Sequence, residues 1–138
     1  MDGAGYGDGY GAGDGYGYGY GYGLAVFQAA RRGWPHKRQE RLIKIEKSAA
    51  TLCFWKSDAQ GFPINGGSAK EPARPGLIEE IPGPLKICTK GALHGTINPD
   101  KYTGTRLWVV ALFGEVQRQD DKFGALKREI IGEIVFPR

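Results

Sequence analysis

The stretch TRLWVVALFGEV, residues 105–116, decides the fold, because Leu107, Trp108, Val109, Val110, Ala111, Leu112 and Phe113 follow one another without a polar break. β-branched and aromatic residues favour extended backbone, and successive side chains of a strand point to opposite faces. A strand that is apolar at every position is therefore covered on both sides, by a second sheet or by helices. The run predicts a central strand with a cover on each face.

Working outward, Asp120, Asp121 and Lys122 read as a polar turn, Phe123 to Lys127 as a short helix, and Arg128 to Phe136 as a last strand carrying Ile130, Ile131, Ile134 and Val135. Upstream, Leu85 to Cys88 reads as a strand, Lys90-Gly91 as a turn and Leu93 to Ile97 as a short strand. Asn98-Pro99-Asp100 then starts a turn or single helical turn through Tyr102, since proline suits the first helical position. Residues 57–84 hold ten glycines and prolines in 28 positions, which predicts a long irregular connection with one short strand at Leu77 to Ile81. Leu42, Ile43, Ile45 and the segment Ala49 to Trp55 have the density of one or two strands. Residues 24–30 form a helical turn or a first strand, ended by Gly33, Trp34 and Pro35. The sum is a β-rich α+β domain: a small, mainly antiparallel sheet with one or two short helices, since no helix long enough for a parallel crossover is visible. Trp108 and Phe113 are the expected core anchors.

Residues 1–23 are of another kind. Every odd position from Gly3 to Gly23 is glycine, and the even positions hold Tyr6, Tyr10, Tyr16, Tyr18, Tyr20 and Tyr22 among Ala4, Asp8, Ala12 and Asp14. Extended, this strip would carry six phenols on one face and hydrogen on the other, and it reaches about 75 Å. Its composition predicts disorder in the isolated chain, together with adhesion or self-association through tyrosine contacts. The expected division is a low-complexity tail, 1–23, and one domain, 24–138.

Charge divides at the same place. The net charge is +4. Asp2, Asp8 and Asp14 give the tail −3, which leaves +7 on the domain. Arg31, Arg32, Lys37, Arg38, Arg41, Lys44 and Lys47 cluster against Glu40 and Glu46, and the favoured reading of that run is a solvated face or exposed linker. Nucleic-acid binding through Arg31 to Lys47, helped by tyrosine stacking, is a weaker alternative that predicts steep salt dependence. The N-terminus has no basic segment followed by an apolar run, and no stretch approaches 18 apolar residues, so a membrane span and a secretory signal are not expected. Cys53 and Cys88, each among apolar residues, are expected to be core thiols.

Five segments form a pattern: Leu85-Lys86-Ile87-Cys88, Gly91-Ala92-Leu93-His94-Gly95-Thr96, Arg106 to Val110, Gly114-Glu115-Val116 and Asp121-Lys122. It resembles a widespread domain of tailed bacteriophages and prophages that has no established activity, with looser agreement at Phe54-Trp55-Lys56 and Gly66-Gly67. Ala92 is inserted relative to that pattern, and Gly95 stands where the family more often has alanine. The resemblance implies an accessory or structural protein of the host cytoplasm or the virion.

His94 is the residue most open to a chemical role. With Tyr102 and a glutamate (Glu115, Glu129 or Glu133) it is loosely similar to the arrangement in ADP-ribosyltransferases, where a histidine holds a ribose, an aromatic stacks on nicotinamide and a glutamate orients a hydroxyl. The competing and favoured reading is a structural histidine whose ring donates to a backbone carbonyl and fixes its turn. His36 and His94 lack neighbours at ligand spacing, so no metal site is expected, and neither a phosphate loop nor a paired nucleophile and base is visible. Asp121-Lys122 reads as an ion-paired turn. The expected function is non-enzymatic, with no cofactor: binding of a protein partner or of further copies through the tail tyrosines and the His94–Thr96 turn. An ADP-ribose or NAD handler built on His94, Tyr102 and Glu115 is the alternative.

Overall fold

A computed structural model describes residues 23–64, 69 and 71–135. The predicted architecture is present: a small antiparallel sheet of five strands with two short helices. Helix α1 spans Gly23–Arg32 and α2 spans His36–Glu46, separated by Gly33-Trp34-Pro35. The strands are β1 (Thr51–Ser57), β2 (Ile78–Glu80), β3 (Leu93–Thr96), β4 (Arg106–Gln119) and β5 (Lys122–Ile134), with a 3-10 turn at Pro99–Lys101 before β4.

The apolar run lies within β4, as its composition requires, and β4 pairs with β1 on one edge and β5 on the other. Strand order is β2-β5-β3-β1-β4, and the β4–β5 pairing closes β1, β4, β5 and β3 into a ring. Both faces of the run are covered. On the outer face, Leu107, Val109 and Ala111 join Leu52, Phe54, Ile131 and Ile134 beneath Phe27, Leu42 and Ile45 of the helices. On the inner face, Trp108, Val110 and Leu112 meet Cys53, Ala125, Ile130 and Leu77. Trp108 is buried there and its Nε1 donates to Ser57 Oγ at 2.9 Å, so the indole N–H keeps a partner inside the core. Phe113 is only partly buried, at the margin of the helix side.

Four local expectations differ from the structure. Leu42, Ile43 and Ile45 belong to helix α2, where Leu42 and Ile45 share the buried face and Ile43 is exposed. Phe123 to Lys127 is strand, the first part of β5, held on both edges by Val116↔Ala125 and Leu93↔Ala125. Leu85 to Cys88 is not a strand, and its polar backbone is met by side chains described below. The basic run is not a linker: it lies on α1 and α2, where part of it forms the expected solvated face and part holds the helices in place. Arg41 makes a two-pronged bond to the buried Glu129, at 2.7 Å and 3.0 Å, and Arg31 pairs with Glu46 at 3.2 Å. Arg32, Lys37, Lys44 and Lys47 remain exposed.

The helix pair is keyed to the sheet at Gly132. Trp34 lays its indole over this glycine and donates from Nε1 to Glu133 O at 2.8 Å; a Cβ at position 132 would come within 2.6 Å of the ring. Gly132→Ala should cost about 2 kcal/mol in denaturant unfolding, because the half-buried indole has to swing outward and give up its bond. A cost below a few tenths of a kcal/mol would show that Trp34 is not the key.

Candidate functional site

Strand alternation decides what β3 presents. A Cβ on Gly95 would collide with Cys53 Sγ, so position 95 faces the inner core and His94 and Thr96 face outward. Opposite His94 lies Gly124, over which residues 84–92 run as a strap: a Cβ there would meet Ala92 Cβ at 3.0 Å and Ile87 Cγ1 at 3.2 Å. Side chains rising from β3 and β4 hold the strap. His94 Nε2 accepts the Cys88 N–H at 2.9 Å, Gln117 Oε1 accepts the Ile87 N–H at 3.0 Å, and Gln117 Nε2 donates to Leu85 O at 3.3 Å. Cys88 Sγ donates to Gln119 Oε1 at 3.3 Å, and Cys88 itself sits in the left-handed region, with φ of 65°.

The His94 ring thus accepts from the backbone and does not donate to a carbonyl, as a structural histidine was expected to. An imidazole that accepts at Nε2 carries its proton on Nδ1 and is neutral. Its pKa is lowered to about 4, first by burial and then by the nearby positive charges of Lys122 and Arg128. The His94 carbonyl accepts from Arg128 Nη1 at 2.7 Å, so this residue is fixed at both ends.

Beside it, Thr96 and Tyr102 converge on the β4–β5 turn. Thr96 Oγ1 donates to Asp121 O at 2.8 Å and accepts from the Asn98 N–H at 2.9 Å. The Tyr102 hydroxyl donates to Asp121 Oδ1 at 2.7 Å; burial, together with that carboxylate, pushes the phenol up to about 12, and the bond holds Asp121 below its ordinary value. The expected Asp121–Lys122 pair is replaced by Lys101 Nζ to Asp121 Oδ2 at 3.1 Å, while Lys122 Nζ stands 5.4 Å above the Tyr102 ring.

His94, Thr96 and Tyr102 are therefore brought to one end of the sheet. The glutamates are not. Glu129 is held by Arg41 and Glu133 by Arg106 at 2.8 Å, whereas Glu115 is exposed beside the irregularity between Phe113 and Val116. Cys53 is buried, its thiol pushed up to about 12 by desolvation, but Cys88 is exposed and not the expected core thiol. The tail tyrosines Tyr6, Tyr10, Tyr16, Tyr18, Tyr20 and Tyr22 lie outside the described residues. Gln117 and Gln119 escaped the sequence reading, although two glutamines spaced by two on one strand, opposite a glycine, are the available signal. Among the described residues no group of three or more His, Cys, Asp or Glu could hold a metal ion, and no helix is long and apolar enough to cross a membrane. No family model matches the chain, and no curated protein or solved structure matches it either.

Proposed function

We propose that the protein is a non-catalytic accessory or structural module of the phage type, in which the domain provides a fixed platform and the Gly/Tyr tail provides adhesion to a protein partner or to further copies. The strict glycine alternation over residues 3–23, with six of the seven tyrosines, carries this reading. It is supported by the employment of the domain's candidate groups: His94 holds the strap, Tyr102 and Thr96 hold the β4–β5 turn, and Glu129 and Glu133 anchor arginines. Tyrosine supplies contact area at low rotamer cost, and glycine lets successive phenols present to one surface. Light scattering after gel filtration tests the proposal on the full chain. Replacing Tyr6, Tyr10, Tyr16, Tyr18, Tyr20 and Tyr22 by serine should convert an associating species to a monomer with an unchanged unfolding midpoint. Equal size distributions for the two chains, together with equal retention of any partner, would remove the tail from the function.

A further inference from the structure

The hydrogen-bonded strap on the outer face has no part in the proposed adhesion. Residues 84–92 form no strand of their own, yet they cover Gly124 and are held by groups from β3 and β4. Only one of these groups can change its protonation between pH 4 and pH 7. Gln117 and Gln119 keep their acceptors at any pH, whereas a protonated imidazole has donors at both nitrogens and nothing left to accept the Cys88 N–H.

We propose that His94 is a proton-operated latch: protonation of its ring ejects the Cys88 amide and releases the strap 84–92 from the outer face of β3 and β5, while the ring of strands stays folded. The charged groups facing the imidazole make the closed state intolerant of the proton. Lys122 and Arg128 approach from β5, β4 offers only the neutral Gln117 and Gln119, and the strap contributes the Cys88 amide. The carboxylates bonded near these groups are already engaged: Asp121 by Tyr102 and Lys101, and Glu79 by Arg128, whose charge it partly offsets. Release would lift Ile87 and Ala92 from Gly124 and uncover a small apolar floor bordered by Lys122.

The sign follows from linkage. With the ring at about 4 in the closed state and near 6.5 once the strap is free, the open form binds the proton more tightly. Closure is therefore strongest above about pH 6.5 and weakens as pH falls toward 4. Between pH 7.5 and pH 5 the open population should rise about twenty- to thirtyfold.

Amide hydrogen exchange of the full chain, read by mass spectrometry over residues 84–92 and corrected for the intrinsic pH dependence of exchange, tests the latch. The expected result is loss of protection in this segment on acidification, with residues 107–112 of β4 still protected. His94→Gln keeps an acceptor that does not titrate, so its strap should exchange at a rate independent of pH. Gln117→Ala should raise exchange at every pH while leaving the acid response in place. A flat wild-type profile, an acid response surviving in His94→Gln, or simultaneous loss of protection in β4 would each overturn the proposal. Should His94→Gln fail to fold, the ring titration of His94 in the wild-type chain, followed beside strap exchange, decides: a midpoint below about 6.5 that coincides with loss of strap protection supports the latch, and a ring that takes its proton with the strap still protected rejects it.

Discussion

Arg128→Met is expected to destabilise the domain by about 3 kcal/mol, near the lower end of what is found when one member of a buried ion pair is removed. Arg128 is a charged side chain almost fully inside the protein, and each of its three guanidinium nitrogens donates a hydrogen bond. Its Nε and Nη2 donate to Glu79 Oε1 at 3.0 Å and 2.8 Å, its Nη1 donates to the His94 carbonyl at 2.7 Å, and its plane stands 4.3 Å from the Trp55 ring. Methionine keeps most of the apolar stem but leaves the Glu79 carboxylate and the His94 carbonyl without their donor. Glu79 retains some contact with water, which is why the loss stays near the low end. The double variant Glu79→Met, Arg128→Met should recover a large part of the loss, because no charge is then stranded. Denaturant unfolding of the four proteins closes the cycle. A single-variant cost under 1 kcal/mol would mean that Arg128 is far more solvated than its packing implies.

Gly95→Ala is expected to cost about 3 kcal/mol, at the upper end for overpacking. The added methyl would be driven into Cys53 Sγ, with Val110 Cγ2 at 3.3 Å and the Phe54 carbonyl at 3.4 Å on the other sides, so there is no direction in which it can retreat. Cys53 sits on β1, has no exposed surface and cannot swing away. Cys53→Ala alone should cost about 1 kcal/mol, the usual result of losing one buried methylene-sized group. Combined with Gly95→Ala it removes the obstacle, so the double variant should be more stable than Gly95→Ala. Failure of that rescue would locate the strain in the β3 backbone instead. The same pair accounts for a glycine at this position: in this chain a sulfur occupies the volume that a methyl at position 95 would need.

The parts of the fold that were legible are those in which a local pattern and a tertiary environment agree. The run Leu107 to Phe113 is apolar on both faces because helices cover one face and the closed ring of strands folds around the other. The 57–84 connection and its short strand follow from glycine and proline. Helix α2 was obscured because isoleucine favours strands, yet Leu42 and Ile45, three apart, already mark a helical face. Phe123 to Lys127 misled in the opposite direction. Gly124 looks like a neutral spacer, but it is small because the strap presses against it, and that pressure comes from residues about 30 positions away. The site was half legible for the same reason. His94 stood out by its chemistry; the Cys88 amide, Gln117 and Gln119 became its neighbours only through the fold.

The closed ring also dictates an order of events while the chain is being made. Strands β4 and β5 pair locally across the two-residue turn Asp120-Asp121, and a hairpin of this kind zips within microseconds once both arms exist. The segments made earlier are less fortunate. Helices α1 and α2 pack on β5, and β1 finds nearly all of its ladder on β4, so a ribosome adding about 5–20 residues per second leaves them waiting for seconds with Phe27, Leu42, Leu52 and Phe54 uncovered. During that interval the nascent chain offers apolar surface beside a tyrosine-rich stretch of sequence, and a holding chaperone would find its natural client there.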